Sequence, residues 1–203
     1  MNYLAIDTSG KHLTVIVKAN GKEYKTFIGD DKVKHSENLM TETEKLFTAA
    51  NVSGKDLDFI SVVVGAGSFT GIRIGISTVK ALCFAENKPF LSITSFDTIA
   101  YNKSKGKVMA VISAGHGGFY ACGYDGEKIS FPPRFLLKDE LSTYKNEYEF
   151  LSAEPIPDFQ TEIVSVCDGL VNATEKKADK ISTDLSTLKP LYLRKSQAEE
   201  GRP

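Results

Sequence analysis

The residues best suited to chemistry in this 203-residue chain are one early acid, three histidines, three cysteines and a glycine-rich run. Asp7 follows the apolar stretch Leu4-Ala5-Ile6 and opens the polar turn Asp7-Thr8-Ser9-Gly10. A single carboxylate there suits an Asx-type turn, accepting backbone N–H bonds, and is a poor Mg²⁺ site without a partner. His12, His35 and His116 lie more than twenty residues apart, with no pair at helical spacing, so no metal site is expected of them. His35 is expected to flank the first helix and His116 to sit in a turn. Cys83, Cys122 and Cys167 are widely spaced and odd in number, which argues against a disulfide framework or a zinc ribbon and for small buried hydrophobes. Neither Ser68 nor any cysteine has an evident histidine partner for nucleophilic catalysis.

The run Gly65-Ala66-Gly67-Ser68-Phe69-Thr70-Gly71-Ile72-Arg73-Ile74-Gly75 invites a phosphate-loop reading. A Walker A loop needs a lysine after its last glycine, whereas Gly71 is followed by Ile72 and Arg73. The dinucleotide fingerprint needs a third glycine where this chain has Thr70. Only the weak, unspecific pull of a helix start on anions remains. Gly71 and Gly75 lie four apart, on one helical face. Each glycine costs a helix interior about 1 kcal/mol relative to alanine, so two of them need a reason. A bare ridge admits a close neighbour, either the first helix of the same lobe or a helix of another chain. A subunit interface is the favoured expectation, with Gly71, Gly75, Ile72, Leu39 and Thr43 as its candidates.

These residues need elements to position them. Leu4–Ile6, Leu13–Lys18 and Glu23–Ile28 read as strands, the last two joined by the hairpin signal Asn20-Gly21. Ser36 is the expected N-cap of a helix whose stripe is Leu39, Thr43, Leu46 and Ala50. Phe59–Val64 reads as a buried strand, Thr70 to Glu86 as a helix, Pro89–Ile93 as a strand, and Ser95 toward Tyr101 as a short helix. Asn102–Lys107 marks a lobe boundary. Strands are then expected at Val108–Ile112, Phe119–Tyr124 and Lys128–Phe131, a helix at Leu137–Tyr144, a strand at Tyr148–Ser152, a loop at Ala153–Glu162 and a helix at Cys167–Ala178. Leu191–Leu193 reads as a terminal extended segment. The pattern fits an α/β protein of two lobes with mixed sheets: residues 1–103, a smaller lobe over 104–195, and a polar tail, 196–203, expected to be disordered.

Composition narrows the class further. The chain is 41% hydrophobic and 25% charged, with 25 Lys plus Arg against 26 Asp plus Glu and a net charge of -1. That balance lowers the expectation of independent RNA binding. No signal peptide or membrane-spanning run is evident, so a cytoplasmic protein is expected.

The glycine run resembles the signature G-P-G-S-F-T-G-x-R-x-G of the TsaB (YeaZ) family, with Ala66 as the departure. Leu4-Ala5-Ile6-Asp7-Thr8-Ser9, His35-Ser36-Glu37 and Pro190-Leu191-Tyr192-Leu193-Arg194 resemble other family segments in the expected order. The resemblance implies an actin/Hsp70-like (ASKHA) fold of two RNase H-like lobes. It implies a non-catalytic scaffold, part of the tRNA N6-adenosine threonylcarbamoyltransferase complex. Such a subunit works with the catalytic paralogue TsaD and the ATPase TsaE in threonylcarbamoyl transfer to adenosine 37 of tRNAs reading A-starting codons (t6A synthesis). By the same resemblance it forms a heterodimer with TsaD, a homodimer when alone, and meets tRNA only through the complex. No cofactor is implied. In active members of the superfamily the acid after the first strand helps hold a metal–nucleotide pair, so Asp7, Thr8 and Ser9 are candidates for a vestigial phosphate site beside the Asx-turn reading. Where many members read D-A-R-x-x-E/Q-V-Y, this chain has Ser113-Ala114-Gly115-His116-Gly117-Gly118-Phe119-Tyr120, which weakens any nucleotide role for the second lobe. The alternatives are a stand-alone metal-dependent peptidase or a small-molecule ATPase of the same fold.

Overall fold

A computed structural model describes residues 1–29, 34–157 and 159–194. The tail 196–203 lies outside them. Three strands, β1 (Tyr3–Asp7), β2 (Leu13–Ala19) and β3 (Lys22–Ile28), are followed by helix α1 (His35–Ala50), strand β4 (Phe59–Val63), helix α2 (Phe69–Glu86), strand β5 (Phe90–Ile93) and helix α3 (Ser95–Ala100). The series then starts again. Strands β6 (Lys107–Gly115), β7 (Gly118–Asp125) and β8 (Lys128–Leu137) precede helix α4 (Lys138–Ser142), strands β9 (Glu149–Ser152) and β10 (Glu162–Ile163), and helix α5 (Val166–Lys176).

The two sheets share one plan. The first runs β3-β2-β1-β4-β5 and the second, read from its other edge, β8-β7-β6-β9-β10. In each, the first three strands pair antiparallel and the last two add on parallel. This is an α/β arrangement of two mixed sheets with helices packed on them.

The hairpin at Asn20-Gly21 forms as its residue types demand, with φ of 54° and 75°. Several boundaries differ from the sequence reading. Helix α1 begins at His35, so Ser36 lies inside its first turn, and Lys34 occupies the N-cap without a side-chain cap bond. Strand β8 runs on through Pro132 and Pro133 to Leu137, leaving α4 only Lys138–Ser142. Two prolines are tolerated because β8 is an edge strand and its register shifts opposite Ala121–Tyr124. The loop expected at Ala153–Glu162 ends in the two-residue strand β10, parallel to β9.

The core does not divide where the chain does. One apolar cluster joins Tyr3, Ala5 and Leu91 of the first sheet to Val108, Ala110 and Leu151 of the second, with Phe96 of α3 and Leu170 of α5 between them. The last described segment, residues 181–194, returns to the first sheet. Ser182 bridges Phe90 on β5, Leu188 is fully buried with Cys83 and Phe90, and Leu191 N donates to Val64 O at 2.7 Å. We call this segment the strap.

Candidate functional site

Strand β1 is buried along its whole length and delivers Asp7 to the floor of a cleft between the lobes. Asp7 Oδ1 accepts from Ser9 N at 2.8 Å and Ser9 Oγ at 2.6 Å, the Asx-type turn that its position favours. Asp7 Oδ2 lies 3.2 Å from His12 Nε2. The His12 ring stacks on Phe27, with centroids 5.5 Å apart. Ser9 Oγ is 2.9 Å from Ser95 Oγ at the start of α3, so a run of polar contacts extends from His12 through Asp7 and Ser9 to Ser95. Thr8 points the other way and donates to Gly71 O at 2.7 Å. Asp7, Thr8 and Ser9 are all buried and bonded within the chain.

Burial alone would raise the Asp7 carboxyl, but the bonds from His12 and Ser9 outweigh it and hold it below the usual range. Burial would likewise lower His12, yet the Asp7 carboxylate, with Glu154 further off, raises it. His35 goes down, through burial and then the charge of His12, against weaker pulls from Asp7 and the Lys11 carbonyl. The fold therefore pairs His12 with Asp7 and lines the same cleft with His35, a grouping that their sequence separation conceals. The sequence reading left Asp7 without a partner; the signal that could have supplied one is the short connection between the acid ending β1 and the histidine just before β2.

The cleft measures about 890 Å³. Asp7, His12 and His35 line it from the first lobe, and Ser113, Tyr120 and Glu154 from the second. Lys11 and Glu154 approach to 3.9 Å between the lobes. Among the described residues, no three His, Cys, Asp or Glu side chains converge as a metal site would require. Cys83 and Cys122 are buried and Cys167 half-buried, all as free thiols.

The glycine run departs from expectation in an instructive way. Ser68 caps α2, its Oγ accepting from Gly71 N at 3.2 Å. A Cβ on Gly71 would overlap the Thr8 carbonyl oxygen, and one on Gly75 would come within 2.6 Å of Thr8 Oγ1. The bare ridge thus receives the turn after β1, not a helix of another chain. Gly71, Ile72, Gly75, Leu39 and Thr43, the residues expected at a subunit seam, are all buried inside the first lobe. Of the five, only Leu39 reaches the adjoining outer groove, about 490 Å³ between α1 and α2, which Met40, Phe69, Arg73, Ile74 and Ser77 also line. Phe84 stands 83% exposed further along α2. At the mouth of this groove Tyr192 of the strap stacks on Phe69, and Arg73 Nε donates to its hydroxyl.

Residues 31–130, which carry α1, the glycine run and the start of the second lobe, match the family model of TsaD, tRNA N6-adenosine threonylcarbamoyltransferase. The tRNA threonylcarbamoyladenosine biosynthesis protein TsaB of Bacillus subtilis is 30% identical over 122 residues, covering 59% of this chain and 53% of that protein. Its counterpart from Buchnera aphidicola is 30% identical over 121 residues, covering 58% and 57%. Over this stretch the chain is similar to the TsaB proteins. It spans about half the length of the curated TsaB relatives it matches. The solved YeaZ from Pseudomonas aeruginosa superposes with a TM-score of 0.80 at 21% identity, over 95% of this chain and 99% of that one, so the YeaZ fold extends across both lobes.

Proposed function

We propose that this chain is a TsaB-type, non-catalytic subunit for threonylcarbamoyl transfer to adenosine 37 of tRNA. It pairs with a TsaD-type catalytic paralogue, acts alongside a TsaE-type ATPase and meets tRNA through that assembly in the cytoplasm. The observation that carries this reading is the sequence likeness to curated TsaB proteins, which bear the threonylcarbamoyladenosine name. Two structural features support it. Asp7 has both oxygens taken up by Ser9 and His12, which leaves its carboxylate committed to the fold. The groove between α1 and α2 is open, with Met40 48% exposed on its wall, and Phe84 stands 83% exposed further along α2, as suits a partner surface.

The test is reconstitution. The purified chain is combined with its TsaD and TsaE counterparts, threonylcarbamoyl adenylate and tRNA, and the modified nucleoside is counted. Formation should depend on the chain, and neither ATP turnover nor peptide cleavage should appear when it is alone. Full-rate modification without it would falsify the proposal. Tight ATP binding in the cleft, which has the volume for a nucleotide, would instead favour the ATPase of the same fold, and zinc-dependent peptide cleavage the peptidase.

A further inference from the structure

Helices α3 and α5 are exchanged between the two sheets. Helix α3 starts at Ser95, just after β5 of the first sheet ends at Ile93, yet it packs against β6, β7 and β9 of the second. Helix α5 starts at Val166, just after β10 of the second sheet ends at Ile163, yet it packs against β1, β2 and β5 of the first. Thr174 Oγ1 lies 3.1 Å from Ser61 Oγ of β4, and Glu175 accepts from Tyr3 Oη of β1 at 3.3 Å, so α5 is fastened where it rests. Any rotation that opens or closes the cleft must therefore shear α3 across α5.

The crossing resists that shear. A Cβ on Gly169 would lie 1.7 Å from Thr98 O and 2.5 Å from Asn102 Nδ2, so the two helices meet backbone to backbone. Asn102 Nδ2 donates to Thr98 O at 2.9 Å and reaches across to Ser165 O, at the cap of α5, at 3.1 Å. Asn172 Nδ2 of α5 donates in return to Tyr101 O at 3.1 Å.

Asp97 adds a charge to the joint. Its Oδ2 accepts from Thr94 N at 2.8 Å and Thr94 Oγ1 at 2.7 Å, at the edge of the first lobe. Its Oδ1 accepts from Tyr124 Oη of the second at 2.9 Å and pairs with Lys177, which follows α5. The side chain is fully buried, and four donors fill the sites of its two oxygens. Turning the lobes would part Thr94 from Tyr124 and leave a buried charge short of a partner, which is the costly case. The front of the cleft is held more loosely, by the exposed pair Lys11–Glu154 at 3.9 Å.

We propose that the α3–α5 crossing is a rigid joint that holds the cleft at one width, so that the chain moves as a single body and does not close around a ligand in the cleft. Hinged proteins enclose a ligand because a few residues between their domains absorb the rotation. Here the elements that would have to absorb it are buried and bonded to both sheets.

The experiment measures residual dipolar couplings of the full chain by NMR, which report the orientation of each sheet separately. In the wild type both sheets should fit one alignment tensor, with and without millimolar Mg-ATP as the probe of the cleft. Asp97→Asn keeps the side-chain shape but replaces acceptor sites with donors, and Asn102→Ala removes the tie to Ser165. With both changes the sheets should require two tensors of unequal magnitude. The α5 amides should also exchange at least about tenfold faster, as the loss of one charge-assisted bond implies. Tyr124→Phe deletes a single hydroxyl and should loosen the lobes in the same sense; it stands in for the double variant if thermal midpoints show that the latter does not fold. Lys11→Ala, at the front of the cleft, should leave the single tensor unchanged. Two tensors in the wild type or in Lys11→Ala would overturn the inference. So would a change of inter-sheet orientation on adding ATP, or a single tensor kept by the folded joint variants.

Discussion

Removing the His12 imidazole leaves Asp7 buried with Ser9 to satisfy only one of its oxygens. His12→Ala should therefore destabilise the fold by about 3 kcal/mol, the usual cost of breaking a buried pair from one side. The effect has a defined pH window. His12 lies above its ordinary 6.5 in the fold, so its stabilisation is complete below about pH 6.5 and is lost as pH rises through the folded value. Asp7 lies below its ordinary 3.8, so its share is complete above about pH 4 and is lost as pH falls through the folded value. The melting-temperature gap between wild type and His12→Ala should peak between those limits and narrow on the alkaline side. A gap that stays flat from about pH 5 to pH 9 would refute the ion pair. The Asx turn at Asp7 was legible because it depends on neighbours in the chain. The approach of His35 was not, because the whole of β2 and β3 intervenes before α1 begins.

Glycine positions in α2 and α5 decide how closely elements approach. In an open helix, Gly→Ala stabilises by about 1 kcal/mol through propensity. At Gly71 the added methyl would overlap the Thr8 carbonyl, and at Gly169 of α5 it would overlap the Thr98 carbonyl of α3. Both sites should invert the usual sign, each alanine destabilising by at least about 2 kcal/mol in urea titrations. A gain in stability at either would mean that the approach is looser than described. The helix-to-helix contact expected of the Gly71/Gly75 ridge is thus found at Gly169, where α5 crosses α3. There Asn102 Nδ2 ties Thr98 O, at 2.9 Å, to Ser165 O, at 3.1 Å. Sequence spacing revealed that a glycine ridge needed a close neighbour. It could not say which neighbour, since the turn at Thr8 reaches the ridge only after β1 and β4 have paired.

Across the whole molecule, the alternation of strand and helix signals showed an α/β protein with mixed sheets, while the antiparallel-then-parallel order repeated in both sheets is seen only in the structure. The core that the sheets share was not legible, because each apolar stripe reads the same whether it faces its own sheet or the other. Residues from both sheets enclose Phe96 and Leu170, and Asp97 of α3 accepts from Tyr124 Oη of β7 at 2.9 Å while pairing with Lys177. The lobes should therefore unfold together, with calorimetric and van't Hoff enthalpies equal and one heat-capacity peak. Two resolved peaks would show that the lobes are energetically independent. The strap adds a consequence in time. Leu188 fills a slot in the outer core of the first lobe, yet it is made about ninety-five residues after β5. At roughly 5–20 residues per second on the ribosome, the first lobe waits several seconds with Phe90 and Cys83 uncovered. The order of synthesis and the order of completion run in opposite directions, and the earliest sheet is the last to be sealed.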